Sequence, residues 1–145
     1  MKRTISLISI FFLIIAITGC GNEKKLTCTQ TITTENYGTQ AITSVTSFKN
    51  DTISKQTITT EITLSDAMAI YKDEFFTSMQ ESTNDMLNKN GIEVSYTENE
   101  NVITENITIT IADLDDNSKD LSNINSEESY DELKADFENN GYTCK

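Results

Sequence analysis

The residues of this chain best suited to covalent chemistry are its three cysteines, Cys20, Cys28 and Cys144. Cys20 follows Ile17-Thr18-Gly19, and the small Thr18 and Gly19 leave the thiol and the bond before it open to enzymes. A thiol so placed is a nucleophile that can be alkylated to a thioether. That use of Cys20 leaves Cys28 and Cys144 as an even pair in an oxidising exterior, where thiols are joined. We expect a disulfide between them, the alternative being two buried thiols. Closing so long a loop is worth about 4–5 kcal/mol on the chain-entropy model. Asp113-Leu114-Asp115-Asp116-Asn117 has the acid spacing that opens a calcium loop. Ser118 stands where that loop needs glycine, however, and Ile124 where it needs a bidentate glutamate, so a polar exit from a strand is expected and no metal site is assigned. Paired carboxylates about 5–10 Å apart across a cleft could hydrolyse a glycosidic bond. The 23 acidic residues offer many pairs, but most fall at strand ends, in loops or on outer helix faces, where solvated ion pairs are the default. The absence of histidine excludes Ser–His and Cys–His nucleophile pairs and the usual zinc sets. Neither a Gly-rich phosphate loop nor a nucleophile elbow is present. No catalytic residue and no cofactor are assigned.

The segment before Cys20 decides where this chemistry takes place. Lys2 and Arg3 precede an apolar run from Ile5 to Ile17. That run is shorter than the roughly 18–20 apolar residues that cross a bilayer, and it fits the core of a cleavable export signal. The basic end stays in the cytoplasm and sets the orientation. Ile17-Thr18-Gly19-Cys20 resembles the bacterial lipobox, in which an aliphatic and two small residues precede the acylated cysteine. The expectation is a cleaved signal over residues 1–19, a lipid-anchored tether over 20–25, and one domain over 26–145 at the extracytoplasmic face of the cell membrane. Two or more acyl chains on Cys20 would anchor it stably in the bilayer.

Composition bounds the partners. Residues 1–19 carry two of the eleven basic residues and none of the 23 acidic ones, so the mature chain holds nine against 23, a net charge of −14. That balance argues against nucleic acid or anionic lipid as a partner, although Lys24 and Lys25 in the tether are well placed to lie near anionic headgroups while the acidic body is repelled. It permits a cationic ligand or another envelope protein without demanding one, a solvated acidic surface being the default account.

The elements that must position these residues follow from periodicity. Leu26, Cys28 and Ile32 share one parity and Thr27, Thr29, Thr31 and Thr33 the other, the mark of a half-buried strand. A turn near Tyr37-Gly38, a strand over about Ala41 to Phe48, a hairpin turn at Asn50-Asp51 and a strand over about Ile53 to Leu64 follow. At Leu64 the period becomes helical: Met68, Tyr71, Phe75, Met79 and Met86 form one stripe, widened by Ile70, Phe76 and Leu87 and closed at Gly91. This stripe is expected to be the main cover of the sheet. Ile92, Val94 and Tyr96, then Ile103, Ile107, Ile109 and Ile111, predict an antiparallel hairpin. Asn125 and Glu128 suit an N-cap and its partner for a short helix bearing Tyr130, Leu133 and Phe137 and ending at Gly141. The fold class is α+β: an antiparallel sheet of about five strands, order β-β-β-α-β-β-α, packed by one long helix and one short C-terminal helix.

This layout resembles the YehR-type small bacterial lipoproteins, a family of unknown function. The likeness rests on the lipobox, Phe48-Lys49-Asn50-Asp51 at an early strand turn, a single long helix, the Ile92–Ile111 hairpin and a closing Asn140-Gly141-Tyr142. It implies the fold and the anchor and no catalytic residues; Cys28 and Cys144 depart from it. The expected function is a non-catalytic binding or accessory domain of the cell envelope. Two rivals are a carboxylate-based hydrolase of cell-wall polymer, which would need a deep cleft with facing acids, and a solute-capture lipoprotein, for which the chain is short.

Overall fold

The computed structural model describes residues 23–122 and 124–145; the expected signal segment and Cys20 lie outside them. Six strands are β1 (Glu23–Thr34), β2 (Gly38–Lys49), β3 (Thr52–Leu64), β4 (Ile92–Asn99), β5 (Val102–Thr110) and β6 (Thr143–Cys144), and three helices are α1 (Lys72–Ser82), α2 (Asp116–Ser122) and α3 (Tyr130–Asn139). The strands form one open antiparallel sheet in the order β4-β5-β3-β2-β1-β6. The class is α+β as expected, with six strands in place of five and three helices in place of two.

Strand β1 starts earlier than the sequence suggested. Glu23, Lys24 and Lys25 pair with Lys49, Phe48 and Ser47, so half of the expected tether belongs to the sheet. The turn between β2 and β3 is the two-residue Asn50-Asp51, both at positive φ (54° and 64°), the form whose twist suits a hairpin. Between β1 and β2, Gly38 lies at φ 136° and a Cβ there would stand 2.0 Å from the Thr63 carbonyl oxygen, so no other residue fits.

Register gives the sheet two unlike faces. On one, Leu26, Phe48, Ile53, Leu64, Ile103 and Ile109 are buried, and α1 and α3 pack there. The other is laid with hydroxyls. Thr29, Thr43 and Thr59 stand side by side across β1, β2 and β3, and Thr59 donates to Asn106 Oδ1 on β5 (2.7 Å). Thr33 and Thr39 (3.3 Å) and Thr57 and Thr108 (3.2 Å) make similar cross-strand bonds.

The long helix is a correction. Instead of one helix from about residue 65 to Gly91, a 3-10 turn (Ala69–Tyr71) leads into α1 and another (Asn84–Met86) follows it. Thr83 ends α1 because its hydroxyl bonds back to the Met79 carbonyl (3.1 Å) and sideways to Tyr96 and Glu105. The stripe is accordingly split: Ile70 is 79% and Tyr71 44% exposed, and α1 has no fully buried residue. It covers the β3–β5–β4 side only in part, with Phe76 edge-on to Tyr96 at 6.0 Å.

The tightest core lies under α3. Leu26, Cys28, Phe48 and Ile53 form a buried cluster against which Tyr130, Leu133 and Phe137 pack, as do Ile111, Ile124 and Tyr142. The cap of α3 also differs from expectation. Ser129, not Asn125, is the N-cap, and its reciprocal bonds run with Glu132. Asn125 makes a turn instead, accepting from the Glu127 amide (3.3 Å). Both sites carry the acid three residues on, and the reciprocal bonds form at Ser129. Gly141, at φ 85°, closes α3, with Tyr142 N–H reaching the Phe137 carbonyl (3.0 Å) and Gly141 N–H that of Glu138 (3.1 Å).

Candidate functional site

Cys28 and Cys144 come together through strand pairing. They are direct partners in the β1–β6 register, flanked by two backbone bonds between Thr27 and Lys145 (3.0 and 2.9 Å). Their sulfurs lie 2.02 Å apart, a disulfide distance, with Cα atoms 4.1 Å apart. Cys28 is fully buried. The Gln30 side chain adds a bond to the Asn140 carbonyl (3.0 Å), so the segment after α3 is pinned along four residues of β1. The pair joins the tail to the first strand beneath the aromatic cluster. Its geometry is that of a structural crosslink.

The acid-rich segment 113–117 holds α2 in place. Asp115 Oδ1 accepts from the Ser118 amide (2.8 Å) and hydroxyl (2.7 Å), and Oδ2 accepts from Asn90 (3.0 Å). These bonds, the Ser118 hydroxyl first, hold its carboxyl below the ordinary range. Oδ1 thus caps the start of α2, while Oδ2 ties that start to Asn90. No group of three metal-ligating side chains occurs among the described residues.

Two other carboxyls are pushed upward. Glu105, 9% exposed, faces α1 between its strand partners Thr60 and Tyr96. Burial raises it, and the Thr83 hydroxyl (3.4 Å) partly offsets that. It is roofed by the helix and lines no cleft. The Glu98 carboxylate on the same face is paired with Lys72 (3.8 Å). Glu128 is raised by burial and then by the neighbouring carboxyl of Asp136. Asp136 lines a shallow depression of about 440 Å³ with Gln30, Phe137 and Tyr142 that is open to solvent. Neither place is the deep cleft with facing acids that a hydrolase needs.

What remains for recognition is the hydroxyl face of the sheet, where Ala41, Val45 and Val102 stand among threonines and neighbouring hydroxyls lie about 4.8 Å apart across strands. It can form many weak hydrogen bonds over a broad area. The sequence carried its signal in the threonine parity of β1, but only the register of four more strands makes it a surface. Among the described residues no helix is long and apolar enough to cross a membrane.

No protein-family model matches this sequence, and no curated protein matches it. Two solved structures are similar in fold. The NMR structure of a protein from Streptococcus pneumoniae TIGR4 aligns with a TM-score of 0.58 at 14% identity, covering 100% of this chain and 98% of that one. The NMR structure of the E. coli YehR protein aligns with a TM-score of 0.57 at 20% identity, over 85% of this chain and 92% of that one. At such identities the likeness is one of architecture, and the architecture of this chain is YehR-like: an open antiparallel sheet with its helices on one face.

Proposed function

We propose that this protein is a lipoprotein of the extracytoplasmic membrane face, acylated on Cys20, whose folded domain binds or supports a component of the cell envelope and catalyses no reaction. The observation that carries the reading is the order of Lys2-Arg3, the apolar run to Ile17 and Ile17-Thr18-Gly19-Cys20. The Cys28–Cys144 pair at disulfide distance supports it, because such pairs persist outside the cytoplasm. The broad hydroxyl face of the sheet supports binding as the role, and the likeness to YehR-type lipoproteins in layout fits the same address. Metabolic labelling with a fatty-acid analogue and mass spectrometry of the mature N-terminus test it. The wild type is expected to begin at Cys20 with the added mass of acyl chains, and Cys20→Ala to accumulate as an uncleaved, unlabelled precursor. A mature protein that starts elsewhere or carries no lipid would falsify the proposal.

A further inference from the structure

The mature chain has nine lysines against 23 acids, yet four of the nine gather at one corner of the open face. Lys25 and Lys55 are both opposite Ser47, so they flank it on β1 and β3 about 10 Å apart, two strand spacings. Lys49 lies in the next row, opposite Glu23 and Thr52. Lys145 is bonded opposite Thr27, one row the other way. By register all four share the hydroxyl face, and all four are exposed. Glu23 is the one acid in those rows beside them; the other acids of this face, Glu61 and Glu93, stand rows away or at the far edge. The remaining acids belong to the helical side, the turns and the loops. The molecule is therefore electrically lopsided, with an acidic helical layer and a basic corner where β1 begins.

We infer that this corner and the threonine rows beside it rest on anionic phospholipid headgroups. The inference rests on the anchor proposed above, since Cys20 is three peptide steps from Glu23 and can stand at most about 11 Å from it. A domain of net charge −14 held that close is repelled by an anionic surface in every orientation except one that turns the basic corner to it. Lysine ammonium groups meet the phosphates, and threonine hydroxyls donate to phosphate and ester oxygens. Each lysine near such a surface strengthens attachment about fivefold, and salt weakens it.

The test uses the acylated full-length protein purified from membranes and reconstituted in vesicles of phosphatidylcholine with or without phosphatidylglycerol, its lysines labelled with an amine reagent and read by mass spectrometry. Lys25, Lys49, Lys55 and Lys145 are expected to lose reactivity severalfold on the anionic vesicles and to regain it in high salt, while Lys72, Lys89, Lys119 and Lys134 keep theirs. The double variant Lys49→Glu, Lys55→Glu should stay on the vesicles and lose the protection. Protein that remains attached with all lysines equally reactive overturns the docking and leaves the anchor standing. Protein that washes off both vesicle types overturns the anchor and the docking with it. Equal protection on uncharged vesicles, or protection that appears only on adding a soluble phosphate polymer, overturns the anionic bilayer as the occupant.

Discussion

Glu105 shows how one side chain can tie stability to pH. Its carboxyl, roofed by α1, titrates above the ordinary glutamate value of 4.5 because burial penalises the charge. The folded chain thus holds this proton more tightly than the unfolded chain, so ionisation weighs against folding as pH rises from 4.5 through the folded value. Glu105→Gln keeps an acceptor for Thr83 and removes that charge. Urea midpoints measured across pH should show a flatter dependence just above 4.5 and a variant at least as stable as wild type at neutral pH. A variant that is weaker at every pH with an unchanged slope would mean that the carboxylate is held by a favourable partner. Asp115 and Glu132 work the other way. Ser118 and Ser129 hold them below their ordinary values of 3.8 and 4.5, so the support they give is present above those values and fades as pH falls through the lower folded ones.

At the scale of elements, the apolar weight sits under α3 and not under α1. Phe48 is fully buried and meets Tyr130 edge-on at 5.4 Å, whereas Phe75 on α1 is half-buried. Phe48→Ala is expected to cost about 3–5 kcal/mol and Phe75→Ala about half of that or less, read from chemical denaturation. Equal costs would restore α1 as the principal cover. The sequence misleads here because Met68 to Met86 has a helical period, while Thr83 diverts its hydroxyl into the Tyr96–Glu105 cluster and breaks the helix that the period implies. The strands were legible because Leu26, Cys28 and Ile32 alternate with threonines and because Asn50-Asp51 and Asn101 mark tight hairpins. Strand β6 was not, since two residues have no period. Nor was α2, whose polar sequence lacks an apolar stripe and whose stability comes from the Asp115 cap. The cysteine pair could be read from counting alone. The lysine corner could not, because Lys25, Lys49, Lys55 and Lys145 meet only when three sheet registers are known together.

For the whole molecule, the Cys28–Cys144 link spans 116 residues and joins the two ends of the fold. Reduction is expected to lower stability by up to about 4–5 kcal/mol. Hydrogen exchange should locate the loss first in α3 and the tail, whose hold on the sheet runs through β6, Gln30 and the aromatic cluster, with the β4–β5 hairpin the last to respond. Uniform acceleration across all strands would instead make the crosslink a property of the unfolded chain alone. The two-residue strand β6 also fixes the order in which the molecule can be finished. The β1–β2–β3 meander and the β4–β5 hairpin are built from neighbours in sequence and can zip locally as the chain is made. One flank of β1 must then wait, its amides and carbonyls bare, until residue 144 arrives. During that interval the first strand made is the most adhesive part of the chain, open to pairing with a second nascent copy. The threonines and lysines along it are poor glue for such a pairing, which gives their polarity a use while the protein is being made.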